Sequence, residues 1–265
     1  DNTGGVLAGT SALTLTTQTG SLMNETGRLV SDGAVTLTAD ALNNRAGTLD
    51  GAGGITANLN GPLDNTNGTV LAGAGAVSLH TPSASLTNVS GAIFAAQSLN
   101  ITATSLNNTT GELSGANVDL RSDTLNNTQG TIAADGALTL NTGTLDNTAG
   151  LLGTAGTLLV RAPTLTNTGG TLVGERGLAL FTAAPTLTGQ VTSAQDVTLT
   201  IDGDYLNSAT LSAQQNLTVN ARTLTNTGIL TAGNTLAATS TGDLFNHGEF
   251  SATTAQVSAG GTLTN

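Results

Sequence analysis

Apolar and polar residues alternate along this chain with a period of two, not the 3.6 of a helix. Ala137-Leu138-Thr139-Leu140, Val35-Thr36-Leu37, Leu178-Ala179-Leu180 and Val197-Thr198-Leu199-Thr200-Ile201 all follow the pattern. It places Leu and Val on one face and Thr on the other, as in a half-buried strand. Short strands are expected, not helices.

The strands belong to a longer rhythm. A phrase of the form Leu-x-Asn-x-x-Gly opens at Leu22, Leu42, Leu63, Leu86, Leu106, Leu125, Leu145 and Leu165, and its leucine recurs in variant phrases at Leu187, Leu206, Leu224, Leu244 and Leu263. The mean spacing is about 20 residues, the solenoid regime. Two residues after these leucines stand Asn24, Asn44, Asn65, Asn88, Asn108, Asn127, Asn147 and Asn167, then Gly189 and Ser208, then Asn226, Asn246 and Asn265. A second apolar anchor follows seven residues after each of the first eight leucines, from Leu29 and Leu49 to Leu152 and Leu172. A glycine precedes each anchor by two, from Gly27 to Gly170, where a tight corner calls for a permissive backbone. Pro62, Pro82, Pro163 and Pro185 fall one to four residues before a repeat leucine, near a corner and outside the alternating runs, where a missing N–H is tolerated.

Two or three short strands per unit, stacked with a rise of about 4.8 Å, make a right-handed parallel β-helix of about thirteen coils. At that spacing the array is expected to extend roughly 60 Å. One coil buries too little apolar surface to offset the entropy of fixing its backbone, so each coil must template the next. The asparagines are expected to turn inward and hydrogen-bond from coil to coil, penalising slipped register by stranding buried amides. Residues 1–265 read as a single array, cut from a longer filament because neither terminal phrase looks like a polar cap.

Composition narrows the partners. Aromatic residues are 2% and charged residues 9%, against about 25% charged in ordinary globular chains. Cysteine and lysine are absent and the net charge is −11. That balance excludes a thiolate metal site and a disulfide framework, and it offers no basic surface for nucleic acid. No apolar run approaches the length of a membrane span, so membrane insertion is not expected. No cofactor motif is evident.

Candidate chemistry is sparse. Parallel β-helices also serve as polysaccharide-cleaving enzymes, but the coils are too short for long catalytic loops. Asp32 and Asp135 are five coils apart, roughly 24 Å, and Asp135 and Glu175 two coils apart, about 10 Å. The densest acidic group is Asp196, Asp202 and Asp204 beside Tyr205, the only tyrosine. It lies in the coil that loses its ladder asparagine at Gly189 and Ser208, and it is the candidate contact for a receptor or cation. Asp202-Gly203-Asp204 also reads as an ordinary turn. His80 and His247 lack ligand partners, and the Thr-rich wet face follows from strand preference.

The residues carry a family resemblance. Leu-(Asn/Asp/Thr)-Asn-Thr-x-Gly, then a short Ala/Gly/Asp link and an alternating run, Ala-Leu-Thr-Leu at 125–140 and Thr-Leu-Leu-Val at 145–160, resembles the repeats of filamentous haemagglutinin-type adhesins and contact-dependent growth-inhibition exoproteins. The resemblance covers almost the whole chain. It implies two-partner secretion through an outer-membrane pore partner and a filament on a Gram-negative cell surface. The Asn-Pro-Asn motifs of the secretion domain and the Val-Glu-Asn-Asn motif before toxin domains are not found. The expected role is therefore a shaft acting as a rigid spacer. The alternatives are a host-receptor or glycan-binding face near 187–208 and, third, a polysaccharide-cleaving enzyme.

Overall fold

The computed structural model describes residues 1–265. The chain is all β, with no helix, and its strands stack in parallel as a β-solenoid of about 13 turns. It forms two compact units, Asp1–Asp135 and Gly136–Asn265.

The early coils of the first unit each consist of three short strands, whereas later ones are joined into the long strands Ala92–Asn107 and Glu112–Asn126. Arg28–Ser31, Ala34–Ala39 and Ala41–Asn43 pair in parallel with Thr48–Gly51, Gly54–Leu59 and Leu63–Asp64 of the next coil. The in-phase register stacks like on like. Leu42, Leu63, Leu86 and Leu106 form one buried column, and Leu29, Leu49, Val70, Ile93, Leu113 and Ile132 another, none more than 1% exposed. Alternation along Ala34–Ala39 does the sorting: Val35, Leu37 and Ala39 are buried while Thr36 and Thr38 face outward. The core is thin and aliphatic, which explains how the chain folds with so few aromatic residues. Pro82 lies in a register irregularity between Thr81 and Ser85.

The second unit repeats the architecture. Leu138, Leu158, Leu178, Val197, Leu217 and Leu236 stack in one buried column. Less buried residues alternate with them, Thr139, Thr198 and Thr218 among them.

The corner glycines act differently from the expectation. At Gly27, Gly47, Gly68, Gly91, Gly111 and Gly130 the backbone does not take a positive φ. The left-handed position is the residue before each, at Thr26, Ala46, Asn67, Ser90, Thr110 and Gln129, with φ of 49–56°. Glycine is required because the preceding coil passes too close. A Cβ at Gly47 would lie 2.2 Å from the Asn24 carbonyl oxygen and 2.7 Å from Asn44 Oδ1. These glycines answer to close approach, and their neighbours bear the backbone strain.

Two coils depart from the expected register. Tyr205, not Leu206, aligns with Leu224; Tyr205 is buried and Leu206 is 60% exposed. One coil earlier Pro185 aligns with Leu165, so Leu187 falls in the asparagine column above Asn167 and is buried there. Adjacent apolar residues offer both parities to a strand, and the pairing with the neighbouring coil chooses between them. Pro185 thus lies within the strand Ala184–Thr186, not outside the alternating runs. Corner length changes as well. Asn24 is followed four residues on by the next strand at Arg28, whereas Asn207 reaches Thr210 in three. Corners after Leu187 contain no positive-φ residue.

Candidate functional site

The most ordered polar feature is the asparagine ladder. In the first unit Nδ2 of each amide donates to Oδ1 of the next, from Asn2 through Asn24, Asn44, Asn65, Asn88 and Asn108 to Asn127, at 2.6–2.8 Å. In the second unit Asn147 donates to Asn167 at 2.7 Å. A further run goes from Asn207 through Asn226 and Asn246 to Asn265 at 2.7–2.8 Å. In the first unit the amide nitrogens are also aimed at backbone carbonyls; for Asn88 these are Gly91 O and Glu112 O, both 3.1 Å away. Two carbonyls facing one side of the amide fix its orientation.

Asn2 and Asn207 are ladder members that a search for leucine misses. Asn2 lacks a preceding repeat leucine, and Asn207 follows Tyr205 by two. The sequence signal was, for Asn207, the asparagine read together with Tyr205 two before it and, for Asn2, the remainder of the phrase in Asp1-Asn2-Thr3-Gly4-Gly5. Asn265 is the exposed last member, and Asn246 is 9% exposed. The Asn-x-Thr tripeptides at Asn24 and Asn108 have their asparagines buried in the ladder, so neither amide is accessible for modification.

The ladder in the second unit is interrupted at one place. Leu187 occupies the column between Asn167 and Asn207, and Asn167 Nδ2 turns to Gly170 O and Gln190 O, each at 3.2 Å. On the far side Asn207 Oδ1 accepts from the Tyr205 hydroxyl at 3.2 Å, with only a long contact, 3.4 Å, from Ala209 N. Tyr205 therefore supplies the donor that the missing asparagine would have given. Replacing Leu187 by alanine is expected to cost roughly 3 kcal/mol through lost burial and a cavity. Leu187→Asn is expected to stay within about 1 kcal/mol of the parent, because two restored amide bonds of about 1 kcal/mol each offset the lost leucine burial. Urea unfolding midpoints of the two variants would check the contrast.

Burial disfavours ionisation of the Tyr205 hydroxyl and pushes its pKa well above the ordinary tyrosine value. A folded-state pKa above the unfolded one contributes stability that is intact below about pH 10, the unfolded value. It is lost as pH rises further, by about 1.4 kcal/mol per pH unit. Stability of the parent should fall with that slope in alkali, and Tyr205→Phe should flatten it. Chemical denaturation at several pH values above 10 would measure both slopes.

The acidic candidates around Tyr205 face solvent and are engaged separately. Asp196 Oδ1 accepts from Asn216 N and Nδ2 at 3.1 and 2.9 Å. Asp204 pairs with Arg222 at 2.6 Å, a contact of modest worth at an exposed site. Asp202 makes no salt bridge and borders a groove beside Arg161 and Phe181. Tyr205 points into the core. His80 and His247 are exposed.

The polar interior thus joins each coil to its neighbour. The haemagglutinin repeat model matches residues 1–24, 6–67, 61–142, 117–200 and 181–265. The chain belongs to the haemagglutinin repeat family. No curated protein and no solved structure matches it. Haemagglutinin repeats in this fold point to a structural adhesin. No helix is long and apolar enough to cross a membrane.

Proposed function

We propose that this chain is a rigid spacer, a shaft segment of a secreted cell-surface filament that extends a binding or delivery module away from the bacterium. The observation that carries the reading is the ladder within a haemagglutinin repeat array. Its hydrogen bonds join one coil to the next, so its polar groups are committed to holding the stack together. The family implies a secreted exoprotein and an outer-membrane pore as secretion partner. The fold suits a passage as unfolded chain, since no disulfide, metal or aromatic core has to form afterwards.

Whole-coil editing of the filament on cells tests the role. Removing residues 45–88 takes out two coils between equivalent ladder positions, Asn44 and Asn88. Display and target attachment should persist, with reach shortened by about 10 Å. A deletion of 45–78 brings unlike positions together and should abolish display. Loss of attachment after the in-register deletion, with display retained, would replace the spacer reading by a receptor-binding one.

A further inference from the structure

The outward column beside the core of the second unit runs in register through Asn141, Arg161, Phe181, Thr200, Asn220 and Thr239. Its hydrophobic member is Phe181, which is 37% exposed. The solenoid needs no aromatic ring there: threonine fills the same column at Thr200 and Thr239 and suits the wet face of a strand. The Arg161 guanidinium carbon lies 4.7 Å from the centre of the Phe181 ring. Three other arginines are paired with carboxylates, and Arg161 is not among them. Stacking holds its planar group in place while leaving its donors unpaired.

Around this pair is a groove of about 480 Å³ bordered by Pro163 and Asp202 as well as Asn141 and Thr200. That size lies within the roughly 300–1,000 Å³ of small-ligand clefts. From these features we infer that the groove binds an uncharged saccharide, taking one or two pyranose rings. The Phe181 and Pro163 rings provide an apolar floor for the C–H face of a sugar. The guanidinium, the Asp202 carboxylate and the Asn141 amide each present two hydrogen-bonding atoms in a plane, a geometry matched to neighbouring hydroxyls. Asp202 at the rim and the net charge of −11 select against polyanionic chains. The groove is open along the column, so binding is weak for a single site, with Kd about 1 mM, and gains strength where several filaments meet one glycan surface.

The site is additional to the spacer role, and its loss would leave that role intact. Its test is titration of the 15N-labelled chain with neutral hexasaccharides of glucose, mannose and N-acetylglucosamine, with hexagalacturonate as the charged control. At least one neutral sugar should shift the amides of Ala162, Thr182 and Ala183 and the Arg161 Nε–H signal. Phe181→Thr and Arg161→Thr should each weaken that binding about tenfold or more, equivalent to about 1.4 kcal/mol, with core amide shifts unchanged. Phe94→Thr, at an exposed phenylalanine of the first unit, should leave it unaltered. Absence of shifts at roughly twenty times the expected Kd, tighter binding of hexagalacturonate, or undiminished binding by Phe181→Thr would each overturn the assignment.

Discussion

Gly111→Ala should destabilise the first unit by about 4 kcal/mol or more, the exceptional range for a single methyl group. The added Cβ would lie 2.1 Å from the Asn88 carbonyl oxygen, 2.6 Å from Asn108 Oδ1 and 2.9 Å from Asn88 Nδ2. None of these is the free end of a flexible side chain: one is backbone, and the others are held in the ladder. Relief requires the two coils to separate, which breaks the ladder bond and opens the core beside it. Gly73→Ala is the matching control, since nothing lies within 4 Å of its added methyl. That variant should stay within about 0.5 kcal/mol of the parent. Urea unfolding followed by far-ultraviolet circular dichroism would compare the two, and similar midpoints would remove close approach as the reason for these glycines.

Asn108→Ala should cost about 3–5 kcal/mol. The Asn108 amide donates to Asn127 Oδ1, Gly111 O and Thr131 O, and it accepts from Asn88 Nδ2 at 2.8 Å. Truncation strands polar groups above and below at about 1–3 kcal/mol each and leaves a void. The side chain of the preceding residue, Asn107, bonds only within its own turn, accepting from Thr109 N and Oγ1. Asn107→Ala should therefore cost about 1 kcal/mol. Hydrogen exchange would show whether the loss spreads to the amides of both flanking coils, as a shared network requires. A purely local effect, no larger than that of Asn107→Ala, would mean that the ladder contributes little to register.

Much of this fold was legible because a solenoid must repeat its chemistry to stack. Leu42, Leu63 and Leu86 could be aligned from sequence since each needs its equivalent above and below, and the alternation around Val35 and Leu37 declared which face was buried. The coils at 187 and 206 were not legible in the same way. Leu206 and Tyr205 are both apolar and adjacent, so pattern alone allowed either to face inward; the decision came from Asn207, whose amide has to reach Asn226. Leu187 misled for the opposite reason, being a leucine in an asparagine's place. The corner glycines were correctly located and given the wrong cause, because a steric contact with another coil leaves no trace in local sequence. The pairing of Arg161 with Phe181 likewise depends on a twenty-residue separation that becomes a neighbour relation only on stacking.

The amides of the ladder all point the same way, each handing its hydrogen to the coil that follows in sequence. Except where Leu187 takes the place of an asparagine, a stack lengthening from its first coil therefore ends in an N–H seeking an oxygen, and the next coil to arrive carries that oxygen. Assembly in this order is vectorial, like a zip closed from one end, and chain delivered through a narrow exit first end first would meet a ready mould at every step.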